Sequence, residues 1–448
     1  MQSVQLDLGP CSAACGDMCS DSAPSRDVEK SARARSAGAF DVVIVGAGPA
    51  GSSAALSLAR RGVRVALVER SSFEASRIGE ALAPAVQGEL VALGAWREVQ
   101  ALGPLPSWGT RALWGDEQPH AHSHLTSPYG HGWQVDRRAF DEALAQAAAR
   151  AGAQLMLGAT LRVSESQGEA WQLLVERRRP GARAPREARA NAETGSAGLV
   201  SLSSRVLIDA TGRPAAVGRA LGAQRLLFDR LVGVATCWEP LGTGERGHLL
   251  VETAGEGWWY SARLPPGSRD VSGEPMLAML MTDADLCAEG QQHRRSGWHA
   301  ALDATHATRQ RLHGARCIDA PRVHLAHSQR VQRADRSDRA GRAGRTGRTA
   351  SRLLPWLAVG DAALAVDPLS GSGVLRALRS GRAGAETAAR MLEQPAIARD
   401  ALAAYEAEQD AECTTFLIER AQHYAAEQRF DTPFWKRRQV GLRARSLP

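Results

Sequence analysis

The run Gly46-Ala47-Gly48-Pro49-Ala50-Gly51 stands between a β-branched stretch at 40–45 and a stretch of helix formers at 52–61. A strand turning into a helix at such a run suits phosphate binding. Gly46 permits the tight turn, Gly48 lets a pyrophosphate approach the backbone, and Ala50 and Gly51 are small enough for close packing. The helix start offers unpaired N–H donors and the positive end of its dipole. A next strand, 63–68, ends at Glu69 with Arg70 beside it. There a carboxylate accepts hydrogen bonds from an adenosine ribose. A glycine triplet alone is weak evidence, and this βαβ context is what makes it a dinucleotide site.

Two later motifs point to FAD rather than a nicotinamide. One is Asp209-Ala210-Thr211-Gly212-Arg213, a strand end entering a glycine turn. The other is Gly360-Asp361-Ala362-Ala363, followed by Asp367-Pro368-Leu369-Ser370-Gly371-Ser372-Gly373 and a long helix. An aspartate at a strand end can hold the sugar-alcohol chain of a flavin, here Asp361. A helix start built from Pro368, Gly371, Ser372 and Gly373 can aim N–H groups at the flavin pyrimidine edge, where negative charge develops on reduction.

Other candidates are weaker. If 257–265 is a strand, Trp258 and Tyr260 share one face and form a substrate wall, or are simply core. His120, His122 and His124 alternate, with His131 nearby, but Pro119, Ser127 and Pro128 read as a loop and no acidic or thiol partner follows, so no metal site is expected. Cys11, Cys15 and Cys19 lie in a polar leader without a fourth ligand. His327 and Cys287 carry no partner pattern.

With three motifs in order, the chain resembles the FAD-dependent monooxygenases of the aromatic-hydroxylase fold over most of 38–440. It looks closest to their tryptophan-halogenase-like and geranylgeranyl-reductase-like branch. The residues responsible are Arg77-Ile78-Gly79-Glu80-Ala81, the stretch from Gly132-Trp133-Gln134 through Arg137 to Asp141, Gly257-Trp258-Trp259-Tyr260, and Asp367-Pro368-Leu369. The resemblance implies that Glu80 and Arg137 lie near the flavin and its ribityl chain. One departure is Leu375, where aromatic hydroxylases commonly carry asparagine.

Flavin halogenases need a lysine beside the substrate and a glutamate in Asp-Pro-Leu-Glu-Ser-Thr-Gly. Here no lysine occurs between Lys30 and Lys436, and Ser370 takes the glutamate position. The resemblance therefore implies a monooxygenase that hydroxylates an aromatic ring, a tryptophan or indole, through a flavin hydroperoxide. The cofactor carries the chemistry and the protein supplies positioning. The same branch holds flavoprotein maturases that hydroxylate a tryptophan of a partner protein, so the substrate is an aromatic or apolar small molecule or such a side chain. The alternatives are an FAD-dependent reductase of an isoprenoid double bond and a non-enzymatic nucleotide- or nucleic-acid-binding protein. No second glycine-rich βαβ unit follows the first, so electrons are expected from transiently bound NAD(P)H or a separate flavin reductase.

The elements that position these residues imply an α/β fold. A Rossmann-type FAD-binding domain is interrupted by a mostly antiparallel substrate-domain sheet and ends in a helical region. The expected order is a disordered leader at 1–38, FAD-binding parts at 39–160, 161–225 and 353–392, a substrate sheet at 226–328 with strands added from 105–135, and C-terminal helices at 393–448. Arg-rich segments interrupt it, a hairpin tip at 177–189 and a flexible loop at 329–352. The 448 residues are 44% hydrophobic and 23% charged, as in a globular enzyme. The net charge of +7 is concentrated between Arg330 and Arg352, where eight arginines face two aspartates without aromatics to stack bases. No nucleic-acid partner is expected there. Seven cysteines are too few for a disulfide framework, and no apolar run is long enough to span a membrane, so a cytoplasmic enzyme is expected.

Overall fold

The computed structural model describes residues 35–178, 198–239, 247–271, 273–333 and 354–443. The leader cysteines, the Arg-rich tip beyond Arg178 and the Arg-rich segment from 334 to 353 lie outside the described residues.

The chain first builds a seven-stranded sheet. Its parallel part runs Gln154–Met156, Val65–Val68, Arg35–Val45 and Gly198–Asp209. The outer edge of Gly198–Asp209 is shared. Its first half pairs antiparallel with Ala170–Arg177, which continues into Ala159–Gln167, and its last residues pair parallel with Trp356–Ala358. Val42, Val43 and Ile44 are fully buried, which explains the uninterrupted β-branched run: a parallel strand is covered on both faces.

Register then decides the site. Val45 lies opposite Val68 on one side and Asp209 on the other, and Asp209 lies opposite Ala358. The segments that follow these strands, Gly46, Glu69, Ala210–Gly212 and Gly360–Asp361, therefore emerge together at one edge. In open α/β sheets ligands bind at the carboxyl ends of the strands. Helices Pro49–Ala59 and Gly373–Glu393 cover one face in close contact. A Cβ placed on Gly381 would sit 2.2 Å from the Ala50 carbonyl oxygen, so only glycine permits the approach. The Ser53 hydroxyl donates to Leu378 O at 2.8 Å across the same seam. Helix Arg137–Arg150 also lies on this side, burying Phe140, Leu144 and Ala148 as its spacing predicts.

The second large sheet has eight strands. From one edge it runs Arg316–Cys317, Leu231–Glu239, Met276–Asp283, Gly257–Arg263, His248–Ala254, Gly109–Leu113 and His120–Ser123, with Arg322–Leu325 also pairing Leu231–Glu239. All neighbours are antiparallel except Gly109–Leu113 beside His248–Ala254. Of the strands in 105–135, Gly109–Leu113 and His120–Ser123 join this sheet, while Leu105–Ser107 and Gly132–Gln134 form a separate three-stranded sheet with Ala81–Leu82. Trp259 and Trp238 point to its outer face and pack on Trp298 of helix Arg295–Asp303. Leu231, Ala235, Leu277, Met279 and Met281 point inward, toward Tyr424 of helix Ala398–Ala426 and Phe434 and Trp435 of helix Pro433–Arg443.

Several expectations are corrected. Strand Arg35–Val45 begins before residue 38, because its first residues pair with Val200 and Ser201 of Gly198–Asp209. The boundary at 329 also fails: Gln329–Gln332 is a strand paired with Gln224–Leu227. Arg330 there is only 2% exposed, and its guanidinium meets Glu406 at 2.5 Å and Asp410 at 2.8 Å. A buried cation with two carboxylates is a structural ion pair, not part of a solvated loop. Finally, His120–Ser123 is an edge strand rather than a loop, with His122 opposite Thr110.

Candidate active site and cofactor cleft

Glycines at the cleft divide into two kinds. Gly46 has φ +106°, and a Cβ there would lie 2.2 Å from Ala210 O; a Cβ on Gly51 would lie 1.9 Å from Gly46 O. Both are small because the protein itself approaches. Around Gly48, Gly371 and Gly373, by contrast, a Cβ meets nothing within 4 Å. These three border open space at the starts of two helices, Pro49–Ala59 and Gly373–Glu393, neither of which has a side-chain cap. Unsatisfied helix N–H groups beside an open cradle are what a pyrophosphate and a flavin pyrimidine edge require. Ala50 is buried in the seam between the two helices.

Glu69 ends its strand as expected and is nearly buried. One carboxylate oxygen accepts from Ala47 N at 2.9 Å, and the other accepts from Ser71 N at 3.0 Å and its hydroxyl at 2.5 Å. Arg77 lies 3.4 Å away. The carboxylate thus braces the glycine loop from the position where a ribose would meet it. Arg70 is exposed.

Asp361 is half-buried and forms a 2.6 Å ion pair with Arg213, which also donates to the carbonyls of His327 and Val366. The other strand-end aspartate, Asp209, is fully buried. It accepts from Thr211 N, the Thr211 hydroxyl and Gly218 N, so it shapes its own turn and cannot reach a ligand. A small, partly open hollow lies between Asp361, Gly360, Gly373, Arg376 and Glu412. Pro368 and Gly371 are exposed on its loop, with Gly371 at φ +59° and Ser372 as the uncapped N-terminus of the next helix.

Arg137 staples the 77–80 loop to its own helix. It donates to Ile78 O and Gly79 O, each at 3.1 Å, and pairs with Asp141 at 3.1 Å. Asp141 also takes Arg77 at 2.7 Å. Burial opposes the Arg137 charge, but the carboxylates of Asp141, Glu80 and Asp361 more than offset it and raise its pKa. Glu80 is 1% exposed, with one oxygen accepting from Gly79 N at 2.8 Å and the other 3.6 Å from Arg269. Burial raises its pKa, with Arg269 pulling the other way. Arg269 also reaches Asp319 at 3.6 Å, and it has φ +59°, a conformation rare outside glycine that marks a constrained position. Its sequence neighbourhood gives no sign of this role.

The two substrate-wall candidates separate. Tyr260 is half-buried on the inner face of the sheet, packed in one cluster with Met279, Val251, Ile78 and Leu369. Burial, followed by the nearby Glu80 charge, raises its phenol pKa well above the usual value. Trp258 shares that face, as the alternation requires, but is 2% exposed and donates its indole N–H to Tyr424 at 3.0 Å. It is core beneath the C-terminal helices. Leu375 is partly buried against the helix core. Among the described residues no group of three or more His, Cys, Asp or Glu side chains could hold a metal ion, and no helix is long and apolar enough to cross a membrane.

The comparisons agree with this geometry. Residues 39–223 match the FAD binding domain family, and residues 302–446 match the tryptophan halogenase family. LodB of Marinomonas mediterranea, named as an FAD-dependent oxidoreductase, is 27% identical over 407 residues, covering 89% of this chain and 96% of LodB. Among solved structures, the flavin-dependent halogenase CmlS is 25% identical with a TM-score of 0.71, covering 89% of this chain and 67% of CmlS. The peptidyl tryptophan dihydroxylase QhpG, essential for tryptophylquinone cofactor biogenesis, is alike in fold, with a TM-score of 0.64 and 23% identity over 89% of this chain and 78% of QhpG. The chain is an FAD-dependent oxidoreductase of the flavin halogenase and hydroxylase fold. Within that fold the matched segments are those of FAD binding domains and tryptophan halogenases, and the similar proteins include halogenases, a tryptophan dihydroxylase and digeranylgeranylglycerophospholipid reductases.

Proposed function

We propose that this flavoprotein hydroxylates an electron-rich aromatic ring, a tryptophan or indole. The observation that carries this reading is the inner face of the eight-stranded sheet. Tyr260, Val251, Ile78 and Leu369 each pack there against one buried cluster that includes Met279, making an apolar face that contains no lysine. FAD, when bound, supplies dioxygen activation. The chain's own residues do the rest. The helix-start N–H groups of Ala50 and Gly51 and of Gly373, Val374 and Leu375 hold the cofactor, Asp361 and Arg213 bracket its sugar chain, and the apolar face excludes water and orients a ring. Likeness in fold to a peptidyl tryptophan dihydroxylase supports a tryptophan, free or protein-borne, and likeness to LodB over nearly its whole length supports an FAD-dependent oxidoreductase. Electrons come from NAD(P)H or a separate flavin reductase.

The test is an incubation of holoprotein with chemically reduced FAD, ¹⁸O₂ and indole, tryptophan or a tryptophan peptide. Hydroxylation puts one labelled oxygen on the ring, seen by mass spectrometry. A product heavier by two hydrogens from an isoprenoid substrate, without added oxygen uptake, would support a double-bond reductase instead.

A further inference from the structure

Asp367 opens the loop that leads into the uncapped start of helix Gly373–Glu393, and it is 1% exposed. A buried carboxylate must be supplied with donors. One oxygen of Asp367 accepts from Leu369 N at 3.0 Å and so shapes the turn into Gly371-Ser372-Gly373. The other accepts from Arg420 Nε at 3.1 Å and from the Tyr424 hydroxyl at 2.7 Å. Both donors come from helix Ala398–Ala426, distant in sequence from the loop. The Tyr424 hydroxyl also receives the Trp258 indole N–H at 3.0 Å.

The direction of this chain is fixed by chemistry. An indole N–H can only donate and an ionised carboxylate can only accept, so the phenol between them accepts from one and donates to the other. Burial, and next the Asp367 charge, raise the Tyr424 pKa well above its usual value, which keeps that proton in place. Guanidinium groups of Arg420 and Arg438 lie about 5 Å from the ring centroid, at 5.0 and 5.1 Å, and confine the ring. Trp258 sits one alternation from Tyr260 on the same strand and face.

We propose that Tyr424 is a positioning residue for the flavin loop. Through Trp258 and Asp367 it ties the placement of the substrate sheet to the aim of the free N–H groups of Gly373, Val374 and Leu375 at the helix start. This rests on FAD occupying the cleft and not on the choice of hydroxylation, so it stands or falls separately from the proposed reaction.

The experiment uses FAD-loaded protein and sulfite, which adds to oxidised flavin and leaves negative charge on the pyrimidine edge that those N–H groups face. Tyr424→Phe keeps the ring and removes both hydrogen bonds. It should raise the sulfite dissociation constant at least fivefold and lower the flavin midpoint potential. Trp258→Phe, which keeps the phenol and Asp367, should shift both readouts in the same direction by less. The double variant should shift them no further than Tyr424→Phe alone, because Trp258 acts through the phenol. Trp298→Phe loses an indole hydrogen bond on the opposite face of the sheet and should lower thermal stability without moving either flavin readout. Unchanged sulfite affinity and potential in Tyr424→Phe would overturn the proposal. If that variant does not fold, unchanged readouts in folded Trp258→Phe would overturn it equally.

Discussion

Gly48 and Gly51 sit on one turn but answer to different constraints. A side chain at Gly48 enters open space, whereas a Cβ at Gly51 would overlap the Gly46 carbonyl at 1.9 Å. Gly48→Val should therefore leave the apoprotein folded with a near-native melting temperature while weakening FAD binding at least tenfold, about 1.4 kcal/mol. Gly51→Ala should destabilise the apoprotein itself by the roughly 1–3 kcal/mol of an overpacked site. FAD titration by fluorescence and thermal unfolding of the apoproteins separate the two. A Gly48→Val protein with undiminished FAD affinity would place the pyrophosphate elsewhere. Much at this scale was legible in the sequence, since glycine spacing reports backbone constraints directly. The roles of the two strand-end aspartates were not. Asp209 and Asp361 carry the same local signal, and only the amides of Thr211 and Gly218 turned toward one, against the Arg213 side chain beside the other, tell them apart. Alternation likewise put Trp258 and Tyr260 on one face, but it could not show which end of that face the C-terminal helices cover.

At the scale of elements, buried carboxylates help fasten the C-terminal helices to the substrate sheet, Asp283 through Arg437 and Arg438 and Glu427 through a larger donor set. Glu427, just past helix Ala398–Ala426, is fully buried and accepts from Gly115 N at 2.9 Å, the Thr253 hydroxyl at 2.7 Å, and Arg429 N and Nε at 2.9 and 3.0 Å. Burial alone would raise its pKa, but these donors, Arg429 foremost, hold it at about 2 against a usual 4.5. A depressed carboxylate stabilises the fold fully above its unfolded value and loses that contribution as pH falls toward the folded one. Glu427→Gln should therefore cost about 1.5–3 kcal/mol at pH 7, the range for charged hydrogen bonds. The gap from wild type should narrow steadily below pH 4.5. Urea unfolding at pH 7 and pH 3.5 checks this, and an equal gap at both would remove Glu427 from the fastening. Helices and the first βαβ unit were readable from periodicity, whereas strand His120–Ser123 was not, because Pro119, Ser127 and Pro128 read as a loop. Strand Gln329–Gln332 was not, because Arg330 reads as part of an arginine series until Glu406 and Asp410 are brought to it by the fold.

For the whole molecule, the deciding feature is where lysine is absent. Among the described residues Lys436 stands alone, exposed on helix Pro433–Arg443 and paired with Asp431 at 3.0 Å, on the covering helix and not on the apolar face around Tyr260. Ser370, at the glutamate position of the halogenase motif, is turned back on its own loop, with its hydroxyl 3.2 Å from Asp367 O and 2.9 Å from Ser372 Oγ. Holding and aiming a hypohalous acid takes a positioned cation and a proton donor, and neither residue supplies one. With reduced FAD, oxygen, excess bromide and indole, the protein should give hydroxylated product or hydrogen peroxide and no bromoindole. Mass spectrometry with catalase present checks this, since catalase removes peroxide and suppresses bromination outside the site. Catalase-resistant bromine at a single ring carbon would overturn the reading and require another relay group. The first positions to test would be His120 and His122, opposite Ala112 and Thr110 at the edge of the sheet that carries Tyr260, then His124 just past that strand and Arg111, which lies opposite Ala121 and so on the other face.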